Sequence, residues 1–161
     1  MKNMISIVMG SQSDLETVQE TINTLREFKA SFQVKVLSAH RTPKELAEYV
    51  ERASKKTTKI FIAAAGGAAA LAGVVASHTT LPVIGIPIET KSLKGLDSLL
   101  STAQMPAGVP VACMAIGKAG ARNAALFALE ILGITEPKIQ ARLFAYKEQM
   151  RCKIKNIRLK V

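Results

Sequence analysis

His40 is one of only two histidines in the chain, and it stands in the segment Ser38-Ala-His-Arg-Thr-Pro43, between an apolar run and a helix-forming run. Imidazole changes its protonation state most easily near neutral pH, so His40 is a candidate general acid or base. Arg41 beside it can hold a phosphate through paired N–H groups. The alternative is that His40 is a surface histidine without a role. The second histidine, His78, falls near the predicted end of a helix and is interpreted as structural.

A second segment with chemical potential is Gly10-Ser-Gln-Ser-Asp14, which follows an apolar run and precedes a helix. A glycine, two hydroxyls and a helix N-terminus together favour a bound anion. Asp14 is suited to sugar hydroxyls rather than to a phosphate. Ser13 and Asp14 could instead only cap the helix, because Ser13-Asp-Leu-Glu16 has the pattern of a capping box. The segment is neither a P-loop nor a GxGxxG fingerprint, so it does not indicate ATP or NAD.

The third segment, Ala65-Gly-Gly-Ala-Ala69, presents backbone with almost no side chain. A flat ligand could lie against such peptide groups, although tight helix packing would explain the composition equally well. Two histidines and two separated cysteines leave little for a transition-metal site. No G-x-S-x-G elbow indicates a serine hydrolase.

The elements that must position these segments alternate between strands and helices. Apolar runs predict strands over 5–9, 32–38, 59–65, 82–87 and 109–115. Helices are predicted over 13–29, 42–55, from the glycine segment to about 78, over 97–104 and 117–132, and from 136 onward. The second helix should begin with the capping box Thr42-Pro-Lys-Glu45, which has proline at the first helical position. This alternation predicts an α/β fold with a parallel sheet covered on both faces, with its ligand at the carboxyl ends of the strands.

The composition is that of one domain with a substantial core, at 161 residues and 48% hydrophobic content. The apolar start is too short for a signal segment or a membrane span, so we expect a cytoplasmic protein that binds no membrane. The net charge of +10 is uneven, since 138–161 hold 8 basic residues and 1 acidic residue. Without interleaved aromatics, this tail is interpreted as a solvated or subunit-contacting face, and nucleic-acid binding is the less favoured alternative.

Several longer motifs occur in a fixed order along the chain. They are Met9-Gly-Ser-Gln-Ser-Asp14, Ser38-Ala-His-Arg-Thr-Pro43, Ala65-Gly-Gly-Ala-Ala69, Leu81-Pro-Val-Ile-Gly85, Gly95-Leu-Asp-Ser-Leu99, Gln104-Met-Pro106, Ala115-Ile-Gly-Lys-Ala-Gly-Ala121 and Asn123-Ala-Ala-Leu126. Over roughly 5–132 the chain therefore resembles class I N5-carboxyaminoimidazole ribonucleotide mutase, a family of bacterial purine biosynthesis.

The resemblance implies a flavodoxin-like, three-layer αβα sandwich with a five-stranded parallel sheet. The whole chain, 1–161, would be one domain, with a core over 4–133 and a long C-terminal helical extension over 136–161. It implies a homo-octamer with active sites at subunit interfaces. The substrate would be a ribonucleotide supplied by an ATP-dependent carboxyaminoimidazole ribonucleotide synthetase, and no metal or cofactor would take part.

The implied reaction converts N5-carboxyaminoimidazole ribonucleotide to 4-carboxy-5-aminoimidazole ribonucleotide by decarboxylation and recarboxylation. By this likeness His40 protonates the exocyclic amine as carbon dioxide leaves, and then accepts the ring proton. Ser11, Asp14 and Arg41 would hold the phosphate and ribose. The other implied substrate-binding residues are Gly10, Ser13, Ser38, Ala39, Gly66, Gly67, Ala68, Ala70, Leu71, Gln104, Met105 and Pro106. Among these, Gly66 and Gly67 would line the base, and the segment 104–106 would close the pocket.

The chain departs from the family pattern at two positions, where Ala70 and Ala72 replace a histidine and a proline. His78 is a poor substitute, since it lies eight positions beyond Ala70, roughly 12 Å along an ideal helix. Two other activities remain open: direct carboxylation of aminoimidazole ribonucleotide by carbon dioxide, and non-catalytic nucleotide binding. Arg41 and the segment 104–106 follow the mutase pattern rather than that of the direct carboxylases, which carry Ser-Ala-His-Lys.

Overall fold

A computed structural model describes residues 4–158, and within them a five-stranded parallel sheet is flanked by six helices. The strands are β1 (Ile5–Met9), β2 (Phe32–Val36), β3 (Ile60–Ala65), β4 (Val83–Pro87) and β5 (Ala112–Cys113). The helices are α1 (Leu15–Glu27), α2 (Pro43–Ser54), α3 (Leu71–Ser77), α4 (Leu96–Ala103), α5 (Gly117–Gly133) and α6 (Pro137–Lys155), with a single 3-10 turn (Gln12–Asp14) before α1. None of the helices within 4–158 is both long and apolar enough to cross a membrane.

The sheet has the strand order β2-β1-β3-β4-β5, and every neighbouring pair is parallel. Ile5 of β1 stands beside Phe32 on one side and Ile60 on the other. The chain therefore moves outward from β1 to β2, crosses back to β3, and continues in the opposite direction. Such a reversal between β1 and β3 leaves a crevice at their carboxyl ends, because the following loops diverge.

Two apolar layers hold the helices to the sheet, as the predicted α/β fold requires. On one face α1, α5 and the start of α6 cover side chains such as Ile7 and Ile62, whereas on the other face α2 and α3 cover Val8 and Phe61. All four of these strand side chains are fully buried. The alternation of Ile7 and Val8 between the two layers follows from the twofold period of a strand.

The fifth strand and the third helix are much shorter in the structure than predicted, and other elements, such as β2 and α1, are shorter by a few residues. β5 spans two residues rather than 109–115, and Pro110, which has no backbone N–H to donate, stands before it. The third helix begins only at Leu71, because Gly67 takes a left-handed φ of 71° that cannot belong to a right-handed helix. The long C-terminal helix is confirmed through Lys155, and 159–161 lie outside the described residues.

Candidate active site

A cleft of about 550 Å³ opens at the carboxyl ends of the strands, where the sheet reverses direction. Its walls come from the segments that follow β1, β2, β3 and β4. The lining residues are Gly10, Ser11, Ser13, Asp14, Ser38, Ala39, His40, Arg41, Ala65, Gly66, Ala68, Ala70, Leu71, Ile88, Glu89 and Thr90. The three segments singled out by sequence are therefore brought together in one cavity.

The segment after β1 is closed on itself by a capping box that begins two residues earlier than the sequence predicted. The Ser11 hydroxyl oxygen accepts hydrogen bonds from the Ser13 N–H at 3.3 Å and from the Ser13 hydroxyl at 2.9 Å. The Asp14 carboxylate accepts one from the Ser11 N–H at 3.0 Å. The predicted box of Ser13 with Glu16 is wrong, because Glu16 instead forms an ion pair of 2.9 Å with Lys118 of α5.

Asp14 is thus a buried carboxylate at the floor of the cleft, 7% exposed. Burial raises the pKa of its carboxyl above the ordinary value, and this effect exceeds the opposing influence of the Ser11 and Ser13 hydrogen bonds and the Arg41 charge. A carboxylate that is desolvated in this way gains from any further donor. Two hydroxyls of a sugar would supply such donors, which agrees with the role expected for Asp14.

The segment after β2 is held by Ser38, Arg41 and Thr42. The Arg41 guanidinium donates to the Gly10 carbonyl oxygen at 2.8 Å, and the Arg41 backbone N–H donates to the Ser38 hydroxyl oxygen at 3.2 Å. The Thr42 hydroxyl accepts from the Ser38 N–H at 2.8 Å and donates to the Ser38 carbonyl oxygen at 3.1 Å. Thr42 is the N-cap residue of α2 and Pro43 begins the helix, but the predicted capping box with Glu45 is wrong, because the Thr42 hydroxyl bonds Ser38 and makes no capping hydrogen bond.

His40 lies between these anchored residues, at the tip of the turn. His40 lines the cleft and is exposed to solvent, and no hydrogen bond joins it to another residue in the range 4–158. An imidazole in this position is accessible to a ligand in the cleft. It is a candidate for proton transfer on geometry, with Arg41 and Asp14 in the same cavity.

The segment after β3 forms a wall of bare backbone, as its composition predicted. A Cβ atom added to Gly66 would lie 3.4 Å from the Cβ of Ile88 and 3.6 Å from the Thr90 methyl group. The Gly66 backbone is therefore packed directly against the segment that follows β4. The missing side chain at Gly66 thus makes room for Ile88 and Thr90, and a flat ring would meet the Gly66 peptide groups only from the cleft side.

Ile88, Glu89 and Thr90 are lining residues that the sequence reasoning missed. They follow β4, so the rule that placed the other three segments at the carboxyl edge applies to them as well. No unusual residue type drew attention to them. The position of the strand, and not the chemistry of its side chains, was the available signal.

Four predicted site residues do not line this cleft: Gly67, Gln104, Met105 and Pro106. The Met105 sulfur lies beside Gly73 of α3, where an added Cβ would be 3.2 Å from it. The segment 104–106 therefore does not border this cleft within the chain. The Gly67 backbone N–H instead donates a hydrogen bond of 2.9 Å to the Ser98 hydroxyl of α4.

Ala70 lines the cleft at the N-terminal end of α3, whereas His78 lies at the opposite end of the same helix. The His78 Nδ1 atom is 3.1 Å from a carboxylate oxygen of Glu51 on α2. His78 is therefore part of a contact between two helices, in keeping with the structural role expected for it, and it does not replace the histidine that the family pattern places at 70. No group of three or more His, Cys, Asp or Glu side chains within 4–158 is arranged to hold a metal ion.

The chain is similar to several known proteins. An N5-carboxyaminoimidazole ribonucleotide mutase of Pyrococcus horikoshii is 49% identical over 95% of this chain and 85% of its own length. The protein of that name in Bacillus subtilis is 48% identical over 94% of this chain and 93% of its own length.

Two crystal structures of Treponema denticola PurE proteins share the fold, with TM-scores of 0.87 and 0.84, each at 26% identity. The match to the first structure covers 96% of this chain and 94% of the Treponema chain. The match to the second covers 93% of this chain and 92% of the Treponema chain. The sequence model of the AIR carboxylase family matches residues 4–153. The protein therefore belongs to the AIR carboxylase family.

Proposed function

We propose that this protein is an N5-carboxyaminoimidazole ribonucleotide mutase, an isomerase of purine biosynthesis. The names of the relatives at 48% and 49% identity support this activity. The observation that carries the proposal is the meeting of His40, Arg41, Asp14 and the Gly66 wall in one cleft. This set offers a proton-transfer group, an anion-binding group, an acceptor for sugar hydroxyls and a surface for a flat base.

The phosphate and ribose are bound by the segments after β1 and β2. Arg41 uses its Nε on Ser38, at 3.4 Å, and one N–H on Gly10. Since a guanidinium has five N–H donors, others remain for the phosphate. The Ser11 and Ser13 hydroxyls lie in the same wall, and Asp14 accepts hydrogen bonds from ribose hydroxyls.

The base is held against Gly66, with His40 as the group that moves protons. In the first step the N–CO₂ bond breaks, carbon dioxide leaves, and the His40 imidazolium gives its proton to the exocyclic nitrogen. In the second step the ring carbon forms a bond to carbon dioxide and loses its proton to His40. The imidazolium is restored, so one residue serves as acid and then as base without net consumption of protons.

The exposure of His40 supports an assembled enzyme rather than a working monomer. Carbon dioxide must stay beside the ring between the two steps, and an open cleft would lose it to solvent. We infer a cytoplasmic homo-octamer in which residues 104–106 of a neighbouring copy close the cleft, supplied by an ATP-dependent synthetase and binding no nucleic acid. Exposed apolar side chains offer a contact surface for such an assembly: Phe144 and Ile154 on α6, and Ile157 just beyond its end.

The test is a turnover assay with purified protein and two substrates. We expect rapid conversion of N5-carboxyaminoimidazole ribonucleotide and little conversion of aminoimidazole ribonucleotide with bicarbonate. Fast turnover with bicarbonate alone would establish the direct carboxylase instead. Binding of the nucleotides without turnover of either would establish a non-catalytic homologue. This outcome is included because Ala70 replaces the histidine of the family pattern.

A further inference from the structure

Ser98 is a fully buried hydroxyl on α4 that touches two walls of the cleft from behind. Its side chain is 0% exposed. The hydroxyl donates a hydrogen bond to the Ile88 carbonyl oxygen at 2.7 Å and accepts one from the Gly67 N–H at 2.9 Å. Ile88 begins the wall that follows β4, and Gly67 belongs to the loop that forms the wall after β3. One side chain therefore links two separate strands' loops.

The link is directional, because a serine hydroxyl has one donor proton and its acceptor lone pairs point elsewhere. Gly67 has a left-handed φ of 71°, and its N–H points at Ser98 of α4. Without Ser98, the Gly67 N–H and the Ile88 carbonyl oxygen would both lose a buried partner. An unpaired polar group shielded from water is unfavourable, so the backbone would shift to find another partner.

The same helix holds the far end of the second wall. The Thr90 hydroxyl donates to a carboxylate oxygen of Asp97 at 2.8 Å and accepts from the Gly95 N–H at 3.2 Å. The segment 88–90 is thus fixed to the first turn of α4 at both of its ends. The Ser98 hydroxyl bonds both walls, whereas the Ser101 hydroxyl of the same helix bonds only the Gly67 side, at 3.4 Å from its carbonyl oxygen. Ser98 therefore sets the position of one wall relative to the other.

We propose that Ser98 is a positioning residue that fixes the Gly66 wall relative to Ile88, and so orients the base toward His40. The proposal rests on the mutase function, although the hydrogen bonds themselves do not depend on it. The substrate's phosphate and ribose are bound by other segments. Loss of the link should therefore disturb the orientation of the reacting ring more than it lowers the affinity for the substrate. Misorientation of reacting groups by about 1 Å is enough to slow an enzyme strongly.

Thr102 provides a matched control on the same helix. It is 2% exposed, and its hydroxyl donates to the Ser98 backbone carbonyl oxygen at 2.8 Å, with no bond to either wall. Ser98→Ala and Thr102→Val each remove one buried hydroxyl from α4. They should lose similar amounts of thermal stability, but only the first breaks the link between the walls.

We expect Ser98→Ala to lower kcat about tenfold or more while KM changes less than about threefold, and Thr102→Val to leave both near the parent's values. Equal kcat in all three proteins, or equal losses in both variants, would overturn the positioning role. If Ser98→Ala does not fold, Ser98→Cys makes the same test, because a thiol is a much weaker hydrogen-bond donor.

Hydrogen exchange of the peptide that contains Gly67 gives a readout that needs no turnover. Ser98→Ala should speed exchange there, whereas Thr102→Val should not. Unchanged protection in Ser98→Ala would refute the link. The parent's own turnover tests the mutase function separately, so an inactive parent with faster exchange in Ser98→Ala would reject the function and keep the link.

Discussion

The Arg41 guanidinium donates a hydrogen bond of 2.8 Å to the carbonyl oxygen of Gly10, and so joins the loop after β2 to the loop after β1. These loops follow neighbouring strands, but α1 and β2 separate them in the sequence. A long, planar side chain with several donors can bind the Gly10 oxygen and a phosphate at the same time. A lysine has a single charged nitrogen and cannot keep both contacts in the same geometry.

Arg41→Lys should therefore raise KM for the ribonucleotide about 10- to 100-fold, since a hydrogen bond to a charged group contributes about 1.5–3 kcal/mol. Steady-state kinetics measure this effect. Arg52→Lys, on the exposed surface of α2, is the matched control and should leave KM unchanged. A KM for Arg41→Lys within threefold of the parent's would contradict the assignment of phosphate binding.

His40→Asn should lower kcat at least about 100-fold, the lower range for loss of a general acid–base group. Affinity for aminoimidazole ribonucleotide, measured by calorimetry, should change little because other residues bind the phosphate and ribose. The same substitution in the other histidine is the control. His78→Asn removes only an exposed polar contact with Glu51, so kcat should persist and the unfolding free energy should fall by at most about 1 kcal/mol. Parental activity in His40→Asn would reject the mechanism.

The Asp14 carboxyl predicts a pH dependence with a definite sign. Its pKa is raised above the ordinary 3.8 by burial, so the folded protein binds this proton more tightly than the unfolded chain does. Its favourable contribution to the unfolding free energy is therefore present below pH 3.8 and is lost as the pH rises through the folded-state pKa.

Asp14→Asn removes this titration. Urea unfolding of parent and variant between pH 4 and pH 7 should show the variant gaining stability relative to the parent as the pH rises. A relative gain as the pH falls would mean that hydrogen bonds to the carboxylate outweigh its burial.

Ala70→His should raise kcat several-fold, because it places a second titratable group in the cleft. The backbone there is already helical, with φ −66° and ψ −12°, so it can carry a histidine without strain. The control is Ala68→His, which places a histidine elsewhere on the cleft lining. A gain in both variants would be a nonspecific effect, and no gain in Ala70→His would show that Ala70 does not limit the rate.

The sheet was predictable because its central strands are buried on both faces. β1, β3 and β4 are apolar apart from the buried Ser6, and their observed bounds differ from the predicted ones by no more than one residue. β5 lies at an edge and pairs with β4 alone, so an apolar run there did not reveal how short the hydrogen-bonded part would be. The length of a strand can therefore be predicted from the sequence when both faces of the strand are buried.

The capping boxes were predicted from the right residue types in the wrong register. Ser11-Gln-Ser-Asp14 and Ser13-Asp-Leu-Glu16 overlap, and both have the required pattern. Glu16 pairs with Lys118 of α5, which contributes to the use of the first box rather than the second. Lys118 is far from Glu16 in the sequence, so no local pattern could predict this pair. Ser98 was missed for a similar reason, because the sequence around a serine in a helix does not indicate which distant loops its hydroxyl will bond.

The cleft is assembled from four segments that only the complete sheet brings together. Its ligand can therefore bind the folded chain and not the unfolded one, which couples occupancy to global stability. A ribonucleotide at a hundredfold excess over its Kd would raise the unfolding free energy by about 2.7 kcal/mol. Thermal unfolding thus becomes a binding assay, in which candidate nucleotides are ranked by the rise in Tm before any turnover is measured.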